Sequence, residues 1–169
     1  LAGALCAAVL AFPVHAADLS NQVINIGSDT TYPPHEFIED GVVKGFDVDV
    51  VAEICARIKC QPNWITTAWD GLVGKLQAGE FDMVVSGVTI TEERDKIVDF
   101  SEPYIIVQQG VLMRVADQGK TIDDFKSGAM RLASQTGTTN ATLGEELVGR
   151  DNLALFDAFN NAVVALQNG

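Results

Sequence analysis

Apolar and polar positions alternate over Val23–Ser28, which predicts a half-buried strand. Residues 29–34 follow as a turn broken by Pro33 and Pro34, and Gly41 marks a second tight turn before Val42 and Val43. Gly45-Phe46-Asp47 then opens a helix. Phe46, Val50, Ile54 and Ile58 recur every four residues, so this stripe is expected to face the core. Asp47 and Asp49 lie near its amino end, where negative charge suits the helix dipole. Residues 63–67 read as a strand. Asp70 is placed to cap a short helix with Leu72, Val73 and Leu76 inward, ended by Gly79. An apolar strand over 81–85 follows. Beyond the Pro103 loop, residues 105–115 predict a long apolar strand. A second round then comprises a short helix over 121–125, a strand over 130–133 and a helix from Gly137 toward Val148. It closes with a strand over 153–156 and a helix over 158–167 whose Phe159, Val163 and Leu166 share one side. Strands alternating with helices predict an α/β class with mainly parallel pairing.

The most informative stretch is Ser86-Gly87-Val88-Thr89-Ile90-Thr91-Glu92-Glu93-Arg94. It puts small and hydroxylic residues at the carboxyl end of a strand, with an arginine one helical turn later. Ligands of open α/β sheets bind at such strand ends. A guanidinium there grips a carboxylate through two parallel hydrogen bonds. The implied task is holding a small carboxylate-bearing molecule; nothing in the stretch implies chemistry upon it.

The first sixteen residues contain no Lys, Arg, Asp or Glu and end in Val14-His15-Ala16-Ala17. This matches the apolar part and small-residue cleavage site of a secretory signal, with cleavage expected near Ala16/Ala17. A membrane anchor is the competing reading; it needs roughly 20 apolar residues, and Pro13 interrupts this run. A lipid-attached Cys6 is a further alternative, although Leu5 is larger than such sites usually accept. The mature protein is expected to be soluble outside the cytoplasm. The formal net charge of −12 argues against nucleic-acid binding, which needs clustered Lys and Arg.

Of three cysteines, Cys6 leaves with the signal, so Cys55 and Cys60 form an even pair in an oxidising compartment. A disulfide is expected, with two separate buried thiols as the alternative. A zinc site lacks support, because His35 is the one histidine after the signal and no pairs show metal spacing.

Several motifs stand in order: Asp29-Thr30-Thr31-Tyr32-Pro33-Pro34, Gly45-Phe46-Asp47-Val48-Asp49, Trp69-Asp70-Gly71-Leu72, Ser86-Gly87-Val88-Thr89-Ile90-Thr91 with Arg94, Phe100-Ser101-Glu102-Pro103-Tyr104, and Gly137-Thr138-Thr139. From about residue 22 onward the chain resembles the extracellular solute-binding proteins of amino-acid ABC transporters (family 3, the polar amino-acid group). The resemblance implies a two-lobe, type II periplasmic-binding-protein fold, with two crossing strands and the ligand trapped between lobes. Residues 17–110 would form lobe 1; residues 111–169 would supply the first crossing strand, through Val111 to Val115, and part of lobe 2. The family's chain later returns to lobe 1. That return is expected to be missing here, leaving the fold truncated at its carboxyl end.

The same resemblance assigns candidate roles. Arg94 binds the ligand α-carboxylate, and Thr89 adds a hydroxyl. Ser86 and Gly87 face the α-ammonium. Thr138 and Thr139, at a helix start whose free N–H groups attract anions, form the second lobe's grip, with Asn140 nearby. Tyr32 and Trp69 sandwich the ligand side chain, and Asp29 is placed to pair with a basic one. Each has a plainer alternative: a surface ion pair for Arg94, turn bonds for Thr89 and Asp29, a strand end for Ser86–Gly87, a helix cap for Thr138–Thr139, and core packing for the aromatics. His35 departs from the pattern, which commonly has Phe, and is given no ligand role. The family's acidic partner for the α-ammonium normally lies beyond residue 169. A periplasmic, monomeric, non-enzymatic receptor for a polar amino acid follows, delivering to an inner-membrane permease, with no cofactor or metal. The alternatives are an exported dehydratase of a cyclic acid on the same scaffold and the ligand module of a membrane sensor.

Overall fold

The computed structural model describes residues 19–169; the apolar leader, Cys6 and the cleavage site expected near Ala16/Ala17 lie outside them. Two parallel sheets organise the chain. In the first, β1 (Val23–Ser28) lies between β5 (Gln61–Thr66) and β6 (Met83–Val84), parallel to both. The register pairs Ser28 with Thr66 and Gly27 with Val84, so the carboxyl ends of β1 and β6 open onto one edge. Between β1 and β5 the chain forms an antiparallel meander of β2 (Thr31–Tyr32), β3 (Glu36–Glu39) and β4 (Val42–Lys44), then α1 (Phe46–Ile58). After β5 come α2 (Leu72–Gln77), β6 and the single turn α3 (Glu92–Asp95). The second sheet pairs β7 (Leu132–Gln135) in parallel with β8 (Leu153–Phe156). It is accompanied by α4 (Ile122–Lys126), α5 (Thr139–Val148) and α6 (Phe159–Asn168).

Helix α1 corrects the expected stripe. Phe46 and Ile54 are exposed, and the buried positions are Asp47, Val51 and Cys55. The helix is rotated by one residue because two forces act on that neighbouring stripe. Asp47 is drawn inward by donors from Gly87 and Tyr104, and Cys55 is joined to Cys60 in a disulfide with Cα atoms 4.6 Å apart. Val51 and Cys55 then pack with Ile26 and Val85, and Ile24, Cys60 and Trp64 close over this core. The charge of Asp47 therefore serves the interior, while Asp49 stays exposed. Gly45 makes the entry possible: its φ of 132° suits glycine, and a Cβ there would strike the His35 carbonyl.

Two further expectations are corrected. Asp70 does not cap α2, whose first turn follows a 3-10 turn over Trp69–Gly71 with no side-chain cap. Residues 105–114, expected as the long strand that includes the first crossing, form no strand; Ile106 is 93% and Leu112 66% exposed. A strand needs a neighbour to take its N–H and C=O groups, and none of the described strands pairs with this segment.

The Cys55–Cys60 bridge closes a short loop between α1 and β5. Replacing both cysteines by alanine is expected to lower the unfolding free energy by about 2 kcal/mol, read as a reduced urea midpoint relative to the oxidised parent.

Candidate ligand-binding site

Parallel pairing puts the carboxyl ends of β1 and β6 side by side, and the carboxyl end of β7 meets them. The Gln135 amide nitrogen, at the end of β7, donates to Asp29 Oδ2 at 2.6 Å and to the Asp157 carbonyl at 3.0 Å. Asp29 is 5% exposed. It also receives Thr31 Oγ1 on its Oδ1, and its backbone N–H donates to Ser86 Oγ. Asp29 thus joins the two sheets.

A second junction lies beside it. Thr91 caps α3 by accepting from the Arg94 backbone N–H, which fixes Arg94 one turn into the helix. The Arg94 side chain donates from Nη1 to the Thr89 carbonyl at 2.8 Å and from Nη2 to the Gly137 carbonyl at 3.1 Å. Its guanidinium carbon sits 5.5 Å from the centre of the Trp69 ring, within range for a cation–π contact. Trp69 Nε1 donates to the same Gly137 carbonyl at 3.1 Å. Burial lowers the Arg94 pKa from its ordinary value, and the group stays cationic at neutral pH. Gly137 has a φ of 74°, and a Cβ there would stand 3.4 Å from Asp70 Oδ1 and 3.6 Å from Trp69.

Helix α5 begins at this junction. Thr138 Oγ1 accepts from the Ala141 N–H and donates to the Gln135 carbonyl, while Thr139 Oγ1 accepts from Gln109. The first N–H groups of a helix lack intrahelical acceptors, so this end attracts anions. A depression of about 500 Å³ lies between α3 and α5, lined by Arg94, Thr139 and Thr142 among others. A neighbouring one of about 450 Å³ is bordered by Gly137, Thr138 and Glu145. Asn140 and the Thr89 side chain are exposed.

Beneath the strand ends lies a polar interior. Ser86 is 2% exposed, and its hydroxyl donates to Glu36 Oε1 at 2.8 Å while accepting from Asp29. Gly87 N–H donates to Asp47 Oδ2 at 2.9 Å, as does the Tyr104 hydroxyl. Burial, helped by Asp47 and Asp29 and opposed by the Ser86 bond, pushes the Glu36 pKa up to about 9. Burial and the Asp47 charge likewise raise that of Tyr104. Tyr32 stacks on His35 with centroids 5.3 Å apart and meets Phe159 of α6 edge-on at 5.1 Å. His35 also meets Phe46 edge-on, and its Nδ1 lies 3.4 Å from Asp47 Oδ1, so it packs between two aromatic rings with one nitrogen toward a carboxyl.

Arg94, Trp69, Thr138 and Thr139 are thus gathered around Gly137, with Asp29 at the adjoining junction. Tyr32 lies over Gly87. Ser86 faces inward, with its hydroxyl engaged by Glu36 and Asp29. Gln135, Gly137 and Gln109 were not singled out as site residues, and neither were Glu36, Asp47 or Tyr104. Gly137 carried a signal as the glycine opening a predicted helix, and Asp47 and Tyr104 stood within the ordered motifs without being given a site role. His35, Glu36 and Asp47 bring three polar side-chain atoms within 4.8 Å of one another; the first two are adjacent in the chain, and the fold brings Asp47 to them from the start of α1.

The model of the bacterial extracellular solute-binding proteins, family 3, matches residues 24–169. ABC transporter arginine-binding protein 1 of Escherichia coli K12 is 32% identical over 147 residues, covering 86% of this chain and 59% of that protein. Among solved structures, an ancestral amino acid-binding protein, a precursor of cyclohexadienyl dehydratase, superposes with a TM-score of 0.81 at 33% identity, covering 87% of this chain and 66% of that one. A binding component of an ABC transporter from Wolinella succinogenes, complexed with lysine, gives 0.75 at 32% identity, over 87% and 64% of the two chains. The chain therefore spans less than two thirds of the length of each of these relatives.

Gln135→Leu leaves the buried Asp29 carboxylate without its amide donor, at an expected cost of about 1–3 kcal/mol. Urea unfolding of a double-mutant cycle with Asp29→Ala should show the two losses to be less than additive.

Proposed function

The chain belongs to the bacterial extracellular solute-binding proteins, family 3, and from that premise we propose that it captures a polar amino acid where its two parallel sheets meet. The mixed α/β periplasmic-binding-protein fold supplies the frame. The carrying observation is that Arg94 reaches from the first sheet to the Gly137 carbonyl beside the second. A ligand α-carboxylate that takes the place of that carbonyl gains two charge-assisted bonds, and the free N–H groups opening α5 face the same anion. Such a ligand touches both sides at once. It favours their approach over their separation, which is what couples capture to closure.

In this reading residues 17–110 form the first lobe and residues 111–169 carry the crossing and part of the second. Cationic amino acids are the leading ligand class. Of the three relatives described above, one is named for arginine and one is complexed with lysine. Trp69 and Tyr32 offer ring faces suited to an apolar stem and a cationic head, and Asp29 supplies a carboxylate. The closed form is presented to an inner-membrane permease of an ABC importer after export and removal of the leader. A dehydratase on this scaffold is the weaker reading. The strongly perturbed carboxyl, Glu36, is 1% exposed and lines neither of the two depressions beside α5, whereas proton transfer needs a group within reach of the substrate.

Arg94→Ala in the full-length protein should weaken L-arginine or L-lysine binding about a hundredfold or more, since each charge-assisted bond is worth roughly 1.5–3 kcal/mol. Calorimetric titration gives the affinity, and circular dichroism checks that the fold persists. Unchanged affinity removes Arg94 from the site.

A further inference from the structure

Among the described residues, Glu36 Oε2 is buried without a hydrogen-bond partner. A carboxyl oxygen of Glu36 and one of Asp47 lie within 4.8 Å of each other, and both residues are almost fully buried, at 1% and 0% exposure. Two ionised carboxylates are acceptors only; held this close, away from water, they repel. One proton removes the conflict, because a protonated Glu36 becomes a donor to Asp47.

We propose that Glu36 and Asp47 share a single proton in the native protein, and that this pair is a positioning unit for the amino-acid site. The pair holds adjoining residues of the strand end. Glu36 Oε1 takes the Ser86 hydroxyl, whose oxygen takes the Asp29 N–H. Asp47 Oδ2 takes the Gly87 N–H and the Tyr104 hydroxyl. Ser86, Gly87 and Asp29 are therefore set by two side chains that are themselves buried beneath the strand ends. The positioning role rests on the amino-acid reading above; the shared proton does not.

The groups facing Glu36 agree with this assignment. Asp47 on α1 and Asp29 after β1 are both acidic, and Tyr104 is a neutral phenol bonded to Asp47. The nearby imidazole, His35, turns its Nδ1 toward Asp47 Oδ1 at 3.4 Å. The supporting shift has the same sign: the Glu36 pKa, ordinarily 4.5, stands at about 9 in the folded chain. The folded state then binds one proton more than the unfolded state between those values. Glu36 thus contributes stability that is fully present below pH 4.5 and is lost as pH rises through about 9. Within that window the folding equilibrium constant falls by up to about tenfold per pH unit from this group.

The test compares wild type, Glu36→Gln and Glu36→Ala in the full-length protein. Glutamine carries a permanent donor and acceptor in the place of the protonated acid. Chemical unfolding from pH 5 to 9 should show the wild type losing stability relative to Glu36→Gln as pH rises. Infrared spectra at neutral pH should show the carbonyl band of a protonated carboxyl in wild type, absent in Glu36→Gln. Glu36→Ala should bind L-arginine at least tenfold more weakly, and Glu36→Gln should recover most of that loss. Parallel pH profiles together with no protonated-carboxyl band would overturn the shared proton. Wild-type affinity in Glu36→Ala would overturn the positioning role. If Glu36→Ala does not fold, the affinity of Glu36→Gln decides that role: it should vary less with pH than wild type above pH 8, and identical profiles overturn it. A wild type that binds no amino acid refutes the functional reading instead, while the infrared and unfolding arms still decide the proton.

Discussion

The carbonyl oxygen of Gly137 receives two donors, Arg94 Nη2 and Trp69 Nε1, each at 3.1 Å. Both donors sit on short helical turns that follow strands of the first sheet, Trp69 after β5 and Arg94 after β6, and the acceptor belongs to the turn between β7 and α5. The contact needs a backbone that turns with φ of 74°, a conformation that glycine adopts without strain. The Asp29–Gln135 bond is a second tie at the same edge. Together they bring the start of α5 to the guanidinium, so a cation and a helix amino terminus converge. That convergence is what an amino-acid carboxylate requires, and it follows from parallel sheets whose carboxyl ends face each other.

Below that edge the interior is unusually polar. Asp47, Glu36, Ser86 and Asp29 are all buried, which costs free energy unless each polar atom is bonded. The network returns that cost as order. A backbone N–H at Gly87 and a hydroxyl at Ser86 are each fixed by a buried carboxyl, leaving the strand end little freedom. Aromatic packing adds to this, since Tyr32, His35 and Phe46 follow one another in edge-on and stacked contacts, and Phe46 stacks near Tyr104.

Most elements were legible because their patterns are local. The strand at Val23–Ser28, the glycine-threonine opening of α5 and the apolar side of α6 form where they were expected, although Ile26, Gly27 and Ser28 are all buried where alternation predicted a half-buried strand. The stripe on α1 was misread because the pattern counts aspartate as a surface residue. Asp47, Val51 and Cys55 keep the same period as Phe46, Val50 and Ile54, and only the tertiary donors from Gly87 and Tyr104 select between them. The segment over 105–114 failed for the complementary reason. Apolar, β-prone residues form a strand only beside a partner, and pairing is not local. At the site, Arg94 was legible from its place after a strand end. Gln135 and Glu36 were not, because their roles depend on neighbours 106 and 50 positions away.

The most direct measurement is a crystal structure of the full-length protein grown with L-arginine. The expected density places the ligand α-carboxylate against the Arg94 guanidinium and the first N–H groups of α5, with the Gly137 carbonyl displaced from Arg94. Arginine bound elsewhere, with the Arg94–Gly137 hydrogen bond intact, would contradict a site shared between the two sheets.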